Sequence, residues 1–233
     1  MLSSTALAAA SALILQAASA ADVFAHFMVQ NAYAYDVDQW KADISSAQQI
    51  GVDGFALDWI PPDCQNGLDW TIDHIDDAFN AAQQMNFKLM YSFDMSYSEC
   101  NLYWNQTFMS AMIIKSAGNS ATYRWNSNIL VPTYGGDQVE QYGNAFFQGL
   151  KSMMADTNAI TLAPGLTTFS MGAQTYPTSS ANDMVSEYSS ADGFLNWQAW
   201  LLNVDQNITF TPDKAFRSAL KSNGRSGPYI ASR

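Results

Sequence analysis

Six short apolar runs recur along the chain: Val23–Val29, Gly54–Ile60, Lys88–Met95, Asn128–Tyr134, Ala159–Leu166 and Gly193–Trp200. A seventh opens at Pro228-Tyr229-Ile230, close to Arg233. The runs are almost continuously apolar rather than strictly alternating, which predicts parallel strands buried on both faces. Helical patterns fill the intervals. Asp36 is placed to cap a helix whose apolar stripe is Trp40, Ile44, Ala47 and Ile50, with Gly51 ending it. Thr71 is read as the cap of a second, carrying Ile72, Ile75, Ala78, Phe79 and Ala82. Residues 105–117 and 138–154 read as a third and a fourth helix, with a short fifth near 181–189. Thr211-Pro212-Asp213 opens a sixth, with proline in the first turn, and Asn223-Gly224 closes it. Strand alternating with helix means an α/β fold. No glycine-rich phosphate turn follows the first strand, where Asn31-Ala32-Tyr33-Ala34-Tyr35 stands instead, and this disfavours a dinucleotide fold. The expectation is a TIM-type (β/α)8 barrel, incomplete, with about six and a half of eight strands present.

The first twenty residues stand apart from this rhythm. Their small and apolar stretch ends in Ala18-Ser19-Ala20, an A-x-A cleavage pattern, so residues 1–20 are expected to be a signal peptide. Residues 21–233 then form one partial barrel domain of a secreted protein, with no linker or second domain. A net charge of −11 disfavours nucleic acid and anionic membranes as partners. Only 13% of residues are charged, which suits a neutral ligand and a polar, uncharged surface. A monomer is expected. Cys64 and Cys100 follow the second and third strands and would share one rim, where a disulfide is expected; two free buried thiols are the alternative. Asn105 and Asn207 head glycosylation sequons. No metal or other cofactor is expected, since His26 and His74 lie far apart and form no ligand cluster.

The candidate chemistry lies where the runs end. His26 falls within the first strand. Asp58-Trp59 closes the second, Asp94 the third and Tyr134 the fourth, followed by Gly135-Gly136-Asp137. Asn196-Trp197 and Trp200 lie in or just past the sixth. Carboxylates and amides that bind hydroxyl pairs, beside aromatic faces that stack on a ring, suit a sugar. Each residue has a plainer reading: His26 as a satisfied core histidine, Asp58 and Asp94 as partners of nearby loops, and Trp59, Trp197 and Trp200 as core. Asp53 before Gly54 reads as an organiser of strand entry, and Asp192-Gly193 as the same device. His74 reads as a surface residue of a helix.

Several of these segments resemble one family. Val23-Phe24-Ala25-His26-Phe27-Met28-Val29, Asp53-Gly54-Phe55-Ala56-Leu57-Asp58, Phe87-Lys88-Leu89 with Ser92-Phe93-Asp94-Met95, and Ala191-Asp192-Gly193-Phe194 with Trp197 and Trp200 are similar to fungal α-1,3-glucanases, the mutanases of glycoside hydrolase family 71. The resemblance implies a secreted endo-hydrolase of α-1,3-glucan, a fungal cell-wall polymer, on a TIM-type barrel. Asp58 stands where that family commonly has asparagine, and the fourth and fifth strand segments match less well. The family signature Trp-Asn-Asp-x-Gly-Glu-Ser, which holds the expected catalytic acid and base, would lie on the strand after Pro228-Tyr229-Ile230, beyond Arg233. The catalytic residues are therefore unknown here, and a C-terminally truncated, inactive member is expected. The alternatives are a non-catalytic α-glucan-binding protein and a non-functional fragment.

Overall fold

The computed structural model describes residues 21–61, 69–96, 102–172, 175–197 and 209–231. The segment 1–20, Cys64, Cys100, Trp200 and Asn207 lie outside the described residues, and so do the expectations placed on them.

Each predicted run is a strand. They are β1 (Phe24–Met28), β2 (Gly54–Trp59), β3 (Lys88–Asp94), then, after a two-residue strand β4 (Arg124–Trp125), β5 (Asn128–Tyr134), β6 (Ile160–Gly165), β7 (Phe194–Asn196) and β8 (Tyr229–Ala231). Parallel pairing runs β1 to β2, β2 to β3, β3 to β5 and β5 to β6, and β7 pairs in parallel with β8. Asp192 and Gly193 join the two sheets by donating both their backbone N–H groups to the Leu162 carbonyl of β6. Seven staves therefore follow one another in chain order, an arc of a (β/α)8-type barrel. Among the described residues β1 pairs only with β2 and β8 only with β7.

Side-chain alternation sorts these strands into two cores. Outward residues such as Phe55, Leu57, Leu89, Phe93, Val131 and Leu162 join one large cluster with the helices. Inward residues Ala56, Met90, Leu130 and Ala163, one from each of four neighbouring strands, form a second layer inside the barrel. This double burial is what makes the runs continuous in sequence.

The helices are α1 (Val37–Gln49), α2 (Asp69–Gln84), α3 (Gln106–Ser116), α4 (Asn144–Met154), α5 (Thr167–Gly172), α6 (Pro177–Glu187) and α7 (Thr211–Ser222). Asp36 caps α1 in a full capping box: its carboxylate accepts from the Asp38 and Gln39 N–H groups, and the Gln39 side chain accepts from the Asp36 N–H. Asn105 caps α3, its Oδ1 accepting from the Phe108 N–H at 2.9 Å. Thr71 does not cap α2. The helix starts at Asp69, and the Thr71 hydroxyl accepts the Trp59 indole N–H at 3.0 Å. The segment read as one helix over 138–154 is broken: a 3-10 turn over Glu140–Tyr142 precedes α4, because Gly143 between them is extended. Helix α5 has no local start signal. The Asp137 carboxylate, thirty residues upstream, accepts from the Thr167 and Thr168 N–H groups at 3.1 and 2.6 Å.

The N-terminal end of the barrel is closed by the β4–β5 hairpin. Asn126 and Ser127, both at positive φ, make its two-residue turn. Tyr123 packs edge-on against Phe24 with ring centroids 4.7 Å apart, and its hydroxyl donates to Asp22 at 2.6 Å. The Trp125 indole N–H donates to the Ser226 carbonyl at 3.1 Å, tying the hairpin to the segment before β8.

Asp53 and Asp192 do the same work at two places on this end. The Asp53 carboxylate accepts from the Val23 N–H at 2.8 Å, and the Asp192 carboxylate from the Leu162 N–H at 2.9 Å. In each case the aspartate N–H also donates back to that same residue's carbonyl. The glycine that follows each one permits close strand approach: a Cβ on Gly54 would lie 2.3 Å from the Phe24 ring, and one on Gly193 2.2 Å from the Pro228 carbonyl.

Candidate sugar-binding site

Alternation of the parallel strands decides which candidates meet. His26 pairs with Ala56 and Met28 with Asp58, Asp58 with Ser92, and Asp94 with Tyr134. Paired residues of parallel strands share a face, so His26, Asp58, Asp94 and Tyr134 all follow the inward layer of Ala56, Met90 and Leu130 towards the C-terminal end. Trp197, just past β7, completes the group. Its ring lies edge-on to His26 at 4.3 Å and to Tyr134 at 4.9 Å between centroids. Five of the six proposed binding residues are thus gathered on one inner rim.

Trp59 is not among them. It follows Asp58 and so points to the opposite face of β2, where it is fully buried against Tyr91, Phe93, Trp104 and Phe108. Its indole N–H is spent on Thr71. Trp59 is a core residue between strand and helix, not a ligand-facing one. Asn196 likewise turns outward, donating through Nδ2 to Tyr229 at 2.8 Å and to Asp213 of α7 at 3.4 Å.

The rim is electrostatically uneven. Burial, and then the neighbouring Asp94 charge, push the Asp58 carboxyl up to about 7. Its Oδ1 is buried with no hydrogen-bond partner. Asp94 Oδ1 accepts both the Ser96 N–H at 2.8 Å and the Ser96 hydroxyl at 2.6 Å. Burial lowers His26 to about 4, which leaves a neutral imidazole at neutral pH. Burial and the Asp94, Asp58 and Asp137 carboxylates raise the Tyr134 phenol, so it remains a donor.

Two rim residues escaped the sequence reading. Ser92 is the strand partner of Asp58, and its buried hydroxyl has no partner. Met28 offers an exposed apolar surface beside Asp58. Both lie two residues along a strand from a named candidate, His26 or Asp94, so alternation was the signal that could have found them. Among the described residues no three His, Cys, Asp or Glu side chains converge as a metal ion needs, and no helix is long and apolar enough to cross a membrane.

Parallel staves wrapped by helices, with ionisable and aromatic groups at their C-terminal ends, define a (β/α)8-type barrel of the kind that carries its chemistry there. Solved structures agree on the fold. The GH99 endo-alpha-mannosidase of Bacteriodes thetaiotaomicron superposes with a TM-score of 0.55 at 11% identity, covering 84% of this chain and 56% of that one. A glycoside hydrolase-like protein superposes at 0.50 and 12% identity, covering 90% of this chain and 82% of its own. The chain belongs to glycosyl hydrolase family 71, whose sequence profile matches residues 19–232. Among curated proteins it is similar to a glucan endo-1,3-alpha-glucosidase of Schizosaccharomyces pombe, 30% identical over 87% of this chain and 44% of that protein. It is also similar to a mutanase of Penicillium rubens, 34% identical over 49% of this chain and 24% of that protein. An ascus wall endo-1,3-alpha-glucanase of S. pombe is 29% identical over 76% of this chain and 38% of that protein. The chain spans less than half the length of the curated relatives it matches.

Proposed function

We propose that this chain acts on α-1,3-glucan, as a secreted or cell-wall member of its family, and that the inner rim seats a glucosyl residue. One observation carries the reading: in a family-71 chain, the fold gathers His26, Asp58, Asp94, Tyr134 and Trp197 at the C-terminal mouth, with Trp197 held between two other rings. Trp197 supplies an aromatic wall for a sugar ring, and the two carboxyls with the Tyr134 phenol supply partners for its hydroxyls. The reading assigns sugar binding to these residues and an acid–base role to none of them.

The test is co-sedimentation of the purified chain with insoluble α-1,3-glucan, followed by assay of reducing sugar. Retention on α-1,3-glucan but not on a β-linked glucan supports the reading. An unretained chain that still melts cooperatively overturns it. Retention with no release of reducing sugar identifies the chain as a glucan-binding protein, whereas release assigns the hydrolysis to these residues.

A further inference from the structure

Asp58 and Asp94 sit on adjacent parallel strands and face the same interior. Among the described residues, the groups turned towards Asp58 are His26 and Met28 from β1, Ser92 and Asp94 from β3, Tyr134 from β5, and Trp197 after β7, with Asp137 beyond Tyr134. None carries a fixed positive charge. Lys88, the one lysine on the parallel strands, lies at the far end of β3 with its ammonium on the Ser120 carbonyl at 2.8 Å. Two carboxylates two residues apart in register on one inner face, with no cation among the described groups beside them, repel each other, and one proton relieves this.

The geometry also says where that proton goes. Asp94 Oδ1 already accepts two hydrogen bonds from Ser96, while the buried Oδ1 of Asp58 accepts none. Two donors on Asp94 support its charged form, whereas the buried Oδ1 of Asp58 has no donor to support a charge there.

We propose that Asp58 and Asp94 form a pair holding a single proton, carried by Asp58, which presents a glucan with a carboxylic-acid O–H donor beside a carboxylate acceptor. The glucan part of this proposal rests on the function proposed above. One glucosyl hydroxyl or bridging oxygen accepts from Asp58 while a second hydroxyl donates to Asp94. The neutral His26 leaves this arrangement undisturbed near neutral pH. At higher pH the pair loses its proton, the donor disappears, and two like charges face the ligand.

The proton is located directly by NMR titration of the full chain with carboxyl-labelled aspartate. The expected result is one aspartate carbon titrating near neutrality in the wild type and missing in Asp58→Asn. If every aspartate carbon titrates in the ordinary carboxylic range, at about 3.9, the pair does not exist, whether or not the chain holds glucan. Binding to α-1,3-glucan, followed from about pH 5 to about pH 9, gives the second readout. Wild-type affinity falls about tenfold per pH unit above the midpoint of the pair, and Asp58→Asn, whose amide donor cannot be lost, gives a flat profile. Equal pH dependence in both proteins overturns the role of the pair in binding. A high Asp58 titration in a chain that binds no glucan at any pH upholds the shared proton and overturns the glucan reading alone.

Discussion

His26 and Asp58 pull the stability of the fold in opposite directions with pH. The Asp58 carboxyl moves from 3.8 to about 7 on folding, so the unfolded chain sheds that proton first and stability falls as pH climbs through this window. His26 moves from 6.5 to about 4, so the unfolded chain takes up a proton first and stability falls as pH drops through its own window. The windows overlap, and the two slopes offset each other there. Urea denaturation across the overlap is expected to show this. Asp58→Asn leaves a protein that weakens towards acid, and His26→Gln leaves one that weakens towards neutral pH. Parallel profiles for the two variants would refute the opposition. Two tryptophans make a similar contrast. Trp59→Ala empties a fully buried site and is expected to cost about 3–5 kcal/mol of stability. Trp197→Ala, at the partly exposed rim, is expected to stay within about 1 kcal/mol in stability and to lose retention on α-1,3-glucan. Thermal melts paired with co-sedimentation separate them; a large loss of stability in Trp197→Ala would make it core after all.

At the scale of elements, the entries to β2 and β7 carry the same clamp, but their surroundings differ. Asp192 also accepts from the Lys151 ammonium at 2.7 Å and is partly buried, whereas the bond from Val23 to Asp53 is exposed. Asp192→Ala is therefore expected to cost about 2–3 kcal/mol, the range for a hydrogen-bonded charge left without its partner, and Asp53→Ala about 1 kcal/mol. Denaturant midpoints at constant slope check the order, and a larger loss at Asp53 would reverse it. The helices were legible wherever their caps are local. Asp36 and Asn105 precede the helices they cap by one residue, and Pro212 lies in the first turn of α7. Helix α5 was not legible, because its cap comes from Asp137 in another loop. The β4 hairpin was missed because two residues are too few to show a period.

The molecule as a whole was readable because both faces of its strands are buried: β6 is buried at every position, and such a strand leaves an unbroken apolar signature. The same unbroken signature conceals direction. Trp59 and Trp197 look alike in sequence, and only alternation, counted from Asp58 on β2 and from outward Asn196 on β7, tells wall from core. The site was thus legible in its residue types and less so in its membership. The paired aspartates at the strand entries have a consequence for how such an arc assembles. Shifting one parallel strand by a single position turns its apolar residues the wrong way, which the core penalises at once. Shifting it by two keeps every side chain on its proper face, and small inward residues such as Ala56 and Ala163 would scarcely resist. Asp53 closes a two-point link to Val23, and Asp192 one to Leu162; each ring fits a single alignment of its strand pair. Those carboxylates remove the near-degenerate misalignments that hydrophobic patterning alone leaves standing, and they do so at the end of the barrel farthest from the candidate site.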